Sequence, residues 1–244
     1  MTDSCGDGSM DIEERLQRLD WKSIEQALYD MGYAKTPPVI TPDECAELIG
    51  LYGDESRFRR RIDMARHRFG IGEYQYFAEP LPALVQGLRM GMYPPLATIA
   101  NGWMEALRQP QRYPLDLASF LAVCQEHGQV KPTPLLLRYE AGGYNCLHQD
   151  LYGEIAFPLQ LTCFLSRRDL DYTGGEFLLV EQRPRAQSRG EAITTEQGEI
   201  IIFATRERPA VGSRGYYRLQ MRHGVSRIRS GRRYALGIIF HNAT

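Results

Sequence analysis

The sequence contains no hydrophobic run near the length of a membrane-spanning helix. Such a helix needs about 18–20 consecutive apolar residues, and every apolar run in this chain is much shorter. The first ten residues are polar and acidic, include Gly6 and Gly8, and do not resemble a secretory signal peptide. We therefore expect a cytoplasmic protein that does not bind membranes, with a disordered N-terminus over residues 1–10.

Cysteine is sparse, and its spacing shows no pairs. The chain has 5 cysteines, at positions 5, 45, 124, 146 and 163, and no C-x-x-C motif. An odd number without paired spacing argues against a disulfide framework and against a structural zinc site. Cys146 and Cys163 lie in apolar, strand-like runs, and we expect them to pack as small hydrophobic side chains.

Lysine is nearly absent, because 26 of the 29 basic residues are arginine. The net charge of −1 conceals an asymmetry: residues 1–130 hold 13 basic and 19 acidic side chains, whereas residues 131–244 hold 16 and 11. A GC-rich genome favours arginine codons and would account for the excess without any function. The alternative is a surface that meets phosphate or carboxylate groups.

The first half of the chain predicts helices. Apolar residues at helical spacing indicate one helix over 12–33, ended by Gly32. The segment Thr41-Pro42-Asp43-Glu44 is a typical helix start, and this helix is expected to run through Leu51. Further helices are predicted over 81–89, 96–107 and 115–126, with Pro94-Pro95 separating the first two.

The pattern changes at Pro132 to short strand-like runs. They cover residues 134–139, 159–165, 176–180, 199–204, 215–221 and 234–240, with turn residues between them. Many short strands without an intervening helix indicate an antiparallel barrel or a double-sheet jelly roll. The fold class is therefore α+β. We expect a mainly helical flank over 11–130 and a β core over 131–244, forming one folding unit.

His148, Gln149 and Asp150 form the most informative motif. Side chains at i and i+2 point to the same face of an extended strand, so His148 and Asp150 can bind one metal ion together. His223, on a distant strand, would complete a triad of two histidines and one carboxylate. That triad leaves three metal positions open and is typical of non-haem Fe(II) oxygenases.

Arg233 follows His223 at a spacing that can bring its side chain close to the metal. Arg233 lies ten residues after His223, across a turn signal at Ser230-Gly231. A guanidinium near the metal would bind the far carboxylate of a chelating keto-diacid through two hydrogen bonds. Adjacent strand residues face opposite ways, so only one of Arg232 and Arg233 can point inward.

The segment 139–150, Tyr-Glu-Ala-Gly-Gly-Tyr-Asn-Cys-Leu-His-Gln-Asp, resembles the strand that opens the double-stranded β-helix of Fe(II)/2-oxoglutarate-dependent dioxygenases. The resemblance continues in family order through residues 162–165, the Gly174-Gly175-Glu176 turn, and residues 198–203 and 223–234, as in the prolyl-hydroxylase-like branch. More narrowly, residues 57–69, 74–82, 147–153 and 182–189 resemble a bacterial family of 2-oxoglutarate oxygenases proposed to act on damaged nucleic acid.

The resemblance implies a site and its co-substrates. Fe(II) would be held by His148, Asp150 and His223, with 2-oxoglutarate and O2 as co-substrates. Family spacing, with a glycine two residues before and a tyrosine after, assigns the 2-oxoglutarate anchor to Arg233, and Arg232 then faces solvent.

Two further residues are weaker candidates. Tyr139 matches a tyrosine that often hydrogen-bonds the co-substrate in related enzymes; the alternative is simple packing inside the barrel. Thr162 is a weaker candidate still.

Arginine-rich segments suggest contact with nucleic acid. Residues 57–68 carry six arginines, and Tyr74, Tyr76 and Phe77 follow. Basic residues interleaved with aromatic ones suit contact with a nucleic-acid backbone and stacking on bases. The alternative is a solvated helix face, because no DNA- or RNA-binding motif accompanies the run. Two further sets of arginines, which can shape substrate access, comprise Arg183, Arg185 and Arg189, and Arg206, Arg208, Arg214, Arg218 and Arg222.

Three functions compete at this point. The first is oxidative demethylation of an alkylated base or a related change to nucleic acid. The second is hydroxylation of a protein side chain, as in prolyl hydroxylases. The third is a non-catalytic jelly roll that binds metal or sugar, against which the presence of all three ligands and Arg233 weighs. A slot for a flat base would favour the first function, and a groove for an extended chain the second.

Overall fold

The computed structural model describes residues 10–183 and 185–244, so the predicted disordered N-terminus lies, apart from Met10, outside the described residues. The helices are α1 (Ile12–Gln17), α2 (Trp21–Met31), α3 (Pro42–Gly50), α4 (Ala83–Ala106) and α5 (Leu117–Glu126). The strands are β1 (Tyr33–Lys35), β2 (Phe58–Asp63), β3 (Gly70–Ile71), β4 (Glu73–Phe77), β5 (Leu135–Glu140), β6 (Tyr144–His148), β7 (Leu159–Phe164), β8 (Tyr172–Gly174), β9 (Phe177–Gln182), β10 (Arg189–Ile193), β11 (Ile200–Ala204), β12 (Glu207–Gly212), β13 (Gly215–Val225) and β14 (Ile228–Ile239).

The N-terminal helical segment is divided, and the prediction of one continuous helix over 12–33 is wrong. Asp20 starts a second helix, because its carboxylate accepts a hydrogen bond from the Ser23 amide at 3.1 Å. Gly32 ends α2 as predicted, with φ of 78° and its amide donating to the Leu28 carbonyl. The predicted start of α3 is confirmed by a complete capping box between Thr41 and Glu44.

Helix α4 is continuous through Pro94 and Pro95, so the predicted break there is wrong. Each proline removes one backbone hydrogen bond from the helix interior. Burial of the helix offsets this loss, because Leu88, Met92 and Leu96 are all fully buried in the main core. Among the described residues, no helix is both long and apolar enough to cross a membrane.

Two antiparallel sheets form a jelly roll, which confirms the predicted double-stranded β-helix core and α+β class. The larger sheet has the order β1-β11-β7-β14-β5-β4-β2, with β8 on β14. The smaller sheet has the order β10-β9-β13-β6-β3, with β12 on β13. Phe177 of the smaller sheet packs 4.8 Å from Phe203 of the larger one, measured between ring centroids. The space between the sheets is therefore a shared apolar interior.

The arginine-rich run 57–68 forms a strand and a following loop instead of a helix face. Strand β2 pairs with β4, and β4 pairs with β5 of the C-terminal half. Ile62 is buried between exposed neighbours, and this alternation is the period of a half-buried strand. The N-terminal half therefore contributes strands to both sheets as well as helices.

Candidate active site

Strand pairing brings the two predicted histidines together. His148 ends β6 and lies directly opposite His223 of β13, and their ring centroids are 4.1 Å apart. Asp150 completes the cluster: its carboxylate lies 3.5 Å from His148 Nε2 and 3.2 Å from His223 Nε2. One ligand atom from each residue lies within 4.8 Å of the others. These three side chains can therefore hold one metal ion.

Hydrogen bonds fix the positions of His148 and of Gln149, the residue that follows it. His148 Nδ1 lies 2.8 Å from the Cys146 carbonyl, which can only accept, so Nδ1 carries the proton and Nε2 presents a lone pair. Gln149 points the other way, and its amide donates to the Met221 carbonyl at 2.8 Å. This bond ties the residue between the two ligands to the strand that carries His223.

Tyr152 is a site residue that the sequence did not indicate as functional. Its hydroxyl donates to Asp150 Oδ1 at 2.7 Å. Tyr76 lies beside it, with ring centroids 6.2 Å apart, and Tyr74 packs on Tyr76 at 5.4 Å. One sign of this role was present in the sequence. Tyr152 lies two residues after Asp150, so the side chains of Tyr152 and Asp150 share a face of an extended segment.

The electrostatics of the cluster suit metal ligation. Burial would raise the pKa of Asp150, but hydrogen bonds and charge from His148 and His223 hold it well below its ordinary value. Burial would lower the pKa of His148, but the Asp150 carboxylate outweighs this effect and raises it. Burial, helped by the charge on His148, lowers the pKa of His223. Asp150 is therefore ionised and His223 neutral, which are the forms that bind metals.

Arg233 lies in the interior with unsatisfied nitrogens. Its side chain is 1% exposed, and its Nε and Nη2 atoms have no hydrogen-bond partner among the described residues. The guanidinium lies 5.6, 5.2 and 5.9 Å from the ring centroids of Tyr139, Phe164 and Tyr172. Arg232 points outward and pairs with Glu140 at 2.9 Å. The two arginines thus face as predicted.

The Gly174-Gly175 turn packs against Arg233. Both glycines have left-handed backbones, with φ of 73° and 66°. A Cβ atom on Gly175 would lie 2.3 Å from Ile228 Cδ1 and 3.1 Å from Arg233 Cδ. The turn therefore requires glycine for its conformation and for the space that Arg233 and Ile228 occupy.

One cavity of about 410 Å³ connects these groups. Arg233, Tyr139 and Thr162 line its buried part, near the histidines. The Tyr139 hydroxyl has no partner among the described residues, and burial raises the pKa of Tyr139 to about 12, so this hydroxyl is a donor at neutral pH. The exposed rim includes three apolar side chains, Phe69, Leu147 and Leu151, together with the cationic Arg68.

Most of the arginine-rich segments are engaged in structural contacts. Arg59 donates to the Pro132 carbonyl at 2.9 Å and lies 4.5 Å above the Tyr76 ring, and Arg61 pairs with Glu73. Tyr76 and Phe77 are buried. The expectation that these two aromatic side chains stack on bases is therefore wrong, because they belong to the core.

The second arginine set is held mainly by one buried carboxylate. Glu181 binds Arg183 at 2.8 Å, Arg189 at 3.4 Å and Arg208, itself buried, at 2.9 Å. Glu181 thus joins these three arginines in one ion-pair network, in which Arg208 is buried and Arg183 and Arg189 keep 48% and 57% of their side chains exposed. In these two later sets only Arg208 is buried; the exposed members are Arg183, Arg185, Arg189, Arg206, Arg214, Arg218 and Arg222.

Solved structures with the same fold share little sequence identity with this chain. A prolyl-4-hydroxylase from Pseudomonas putida matches with a TM-score of 0.53 at 12% identity, over 92% of this chain and 99% of that one. An oxidoreductase of the 2OG-Fe(II) oxygenase family from Burkholderia pseudomallei gives 0.53 at 13%, over 92% and 93%. A non-heme alpha ketoglutarate dependent epimerase from nogalamycin biosynthesis gives 0.55 at 13%, over 91% and 83%.

Comparison of sequences identifies the family. The chain is 42% identical over 229 residues to the uncharacterized protein Rv2227 of Mycobacterium tuberculosis, covering 94% of this chain and 93% of that protein. Residues 72–243 match a family model, Oxygenase-NA, described as an oxygenase catalysing oxidative methylation of damaged DNA. That match includes all three candidate metal ligands and Arg233. The resemblance seen in the sequence is thus confirmed, and the protein belongs to the Oxygenase-NA family of oxygenases.

Proposed function

We propose that this oxygenase depends on Fe(II), held by His148, Asp150 and His223, and on 2-oxoglutarate, anchored by Arg233. The observation that carries the proposal is the buried guanidinium of Arg233, which lines the same cavity as the three ligands and whose Nε and Nη2 atoms have no hydrogen-bond partner in the described part of the chain. A buried cation without a carboxylate partner is costly unless an anion binds it. A dicarboxylate that also chelates a metal would satisfy both features.

The residues present fit these groups. Two imidazoles, which bind a metal in their neutral form, and one carboxylate form the ligand set that suits iron in oxygenases. When bound, iron would let O2 oxidise both 2-oxoglutarate, to succinate and CO2, and a substrate C–H bond, with one oxygen atom going to each product.

The protein's own side chains would orient the co-substrate and shield the metal ligands from water. Tyr152 holds one oxygen of Asp150, and Arg233 fixes the distal carboxylate of the co-substrate. The Tyr139 hydroxyl would donate a hydrogen bond to the same dicarboxylate. Phe177 and Phe203, which line the cavity near His223, exclude water from the metal ligands.

The substrate that we propose is DNA carrying an alkylated base. The family description names damaged DNA, and a cavity of about 410 Å³ is within the usual range for small-molecule pockets, roughly 300–1,000 Å³. The apolar side chains at the rim, Phe69, Leu147 and Leu151, suit the flat face of a base, and Arg68 beside them suits its phosphate.

A succinate-release assay tests the proposal. Protein reconstituted anaerobically with Fe(II) would be supplied with 2-oxoglutarate, O2 and one of three substrate classes: methylated oligonucleotides, peptides or small metabolites. Reconstitution matters because Ni, Co and Zn compete well for such ligand sets. We expect succinate in proportion to the loss of methyl groups from the oligonucleotides. Turnover with peptides alone would assign the protein to side-chain hydroxylation instead.

A further inference from the structure

The loop between β2 and β4, residues 64–72, separates the active-site cavity from a second groove. Met64, Arg68 and Phe69 line the cavity on one side of this loop. Arg66 and His67 line a groove of about 610 Å³ on the other side. A single short segment therefore contacts both the catalytic cavity and an open, polar surface.

This loop is fixed relative to the candidate metal ligands. The Met64 amide donates to the Gly72 carbonyl at 3.0 Å, which closes the loop, and the Cys146 amide donates to the Phe69 carbonyl at 2.8 Å. Within the loop, β3 pairs with β6, the strand that ends at His148. A ligand bound to the loop would thus keep a fixed position relative to the candidate metal ligands.

The groove beside the loop is rich in arginine and has an excess of positive charge. Its arginines are Arg60, Arg61, Arg66 and Arg138, and its carboxylates are Asp63, Glu73 and Glu140. Glu73 pairs with both Arg61 and Arg138, and Glu140 pairs with Arg232 from outside the groove. Five guanidinium groups therefore meet three carboxylates.

Two of these arginines are available to a ligand. Arg60 is exposed and makes no ion pair with any described residue. Arg66 is 83% exposed, and its contact with Asp63 is 3.3 Å, a surface pair that contributes little.

The loop also exposes a flat aromatic pair next to these arginines. The rings of His67 and Phe69 stack with centroids 5.3 Å apart and an angle of 21°. Phe69 is 47% exposed, which is unusual for a phenylalanine in this protein. Base stacking on an exposed aromatic ring is a common mode of single-strand recognition.

We propose that the loop 64–72 is the DNA-binding element of this enzyme and that it binds single strands. Arg60 and Arg66 would contact phosphates in the groove, and the Phe69–His67 pair would stack on a base next to the target. The target base would pass the rim into the cavity. A base inside a duplex cannot reach ligands as enclosed as His223, 7% exposed, so an unstacked base is required. This inference rests on the proposed function, because it identifies how the same site would meet its substrate.

Binding of labelled single-stranded DNA, followed by fluorescence anisotropy at several salt concentrations, tests the proposal. The slope of log affinity against log salt should flatten by about 1.4 in the double variant R60A/R66A, since each phosphate contact contributes about 0.7. The variant R60K/R66K keeps both charges and should keep the slope. Arg214→Ala is the matched control, because Arg214 is an exposed arginine in the β12–β13 turn, about 30 Å along the chain from His223 at ~3.3 Å per residue.

Phe69→Ala should weaken binding roughly 5- to 150-fold at constant salt slope, the effect of losing one stacked base. Phe69→Trp should retain the affinity. Far-UV circular dichroism should be unchanged in all variants, because the altered side chains are exposed. An R60A/R66A slope equal to that of wild type, or an unchanged affinity in Phe69→Ala, would overturn the assignment of the loop.

The oxygenase proposal is tested separately in the same samples. Anaerobic addition of Fe(II) and 2-oxoglutarate should give the same visible absorption band in R60A/R66A and wild type. If the wild-type protein gives the band but binds neither DNA nor RNA, the loop is not a DNA-binding element, and the proposed iron site is unaffected. Binding to RNA alone would reject DNA as the substrate. Loss of the band in wild type would instead reject the oxygenase proposal itself.

Discussion

Arg233 is the residue whose environment says most about the ligand of this cavity. Aromatic rings surround its guanidinium at 5.2 to 5.9 Å, and among the described residues no carboxylate pairs with it. Cation–π contacts compensate only part of the cost of burying a charge. A protein that keeps such a residue in its interior is prepared to bind an anion there.

The neighbouring arginines provide a matched pair of variants. Truncating one partner of a buried charge pair costs about 2–5 kcal/mol, which corresponds to roughly 30- to several-thousand-fold in affinity. Arg233→Ala should therefore weaken 2-oxoglutarate binding by that factor, whereas Arg232→Ala, which removes an exposed pair, should hardly change it. Titration of 2-oxoglutarate into the anaerobic Fe(II) protein measures both. A larger effect in Arg232→Ala would show that the anchor lies elsewhere.

His223 should be indispensable for the metal centre. Anaerobic Fe(II) and 2-oxoglutarate should together produce a visible metal-to-ligand charge-transfer band. His223→Ala removes one of three protein ligands and should abolish that band without unfolding the protein, as circular dichroism would verify. A normal band in this variant would contradict the ligand assignment.

Tyr152 should act through Asp150. Its hydroxyl donates to one carboxylate oxygen, and loss of such supporting hydrogen bonds typically lowers metal affinity about 10- to 100-fold. Tyr152→Phe keeps the ring that packs near Tyr76 and removes only the donor. We expect weaker Fe(II) binding, by competition with a chelator, and an unchanged melting temperature of the metal-free protein. Metal affinity equal to that of wild type would make Tyr152 a packing residue only.

The metal motif was readable from the sequence because it depends on local geometry. The i, i+2 spacing of His148 and Asp150 follows from the pleat of a strand, and the opposite facing of Arg232 and Arg233 follows from the same rule. Tertiary contacts decided the elements that were predicted wrongly. Helix α4 continues through Pro94 and Pro95 because its surface is buried, and β2 is a strand because β4 offers it a partner. Neither neighbour is visible in the local sequence.

The Gly174-Gly175 turn links a sequence motif to the position of Arg233. Gly175→Ala should weaken 2-oxoglutarate binding, because the added methyl group displaces Ile228 and crowds Arg233. Gly128→Ala is the control, since Gly128 has a similar φ of 72° and nothing within 4 Å of the added carbon. Both variants should lose about 1 kcal/mol of stability from the left-handed backbone, measured by urea unfolding. Only Gly175→Ala should change the 2-oxoglutarate titration; equal effects would refute a link between the turn and Arg233.

The two halves of the chain share one interior. The core cluster includes Trp103 and Phe120 from the helices and Phe164 and Phe203 from the sheets. Strand β4, from the N-terminal half, completes the large sheet beside β5. The composition change at Pro132 correctly separated helix-rich from strand-rich sequence. It could not show that four strands before Pro132 belong to the sheets, because such pairings join residues distant in the chain.

We therefore predict that the halves unfold together. Buried cysteines report on each half: Cys45 and Cys124 lie in α3 and α5, and Cys163 lies in β7. Thiol labelling in increasing urea, read residue by residue by mass spectrometry, should give one midpoint for all three, since opening either half exposes the common apolar core. Cys146 is exposed, so the expectation that it packs as a small hydrophobic side chain is wrong; it should react without urea and serves as the control. An earlier midpoint for Cys45 and Cys124 than for Cys163 would show that the helical half is a separate folding unit.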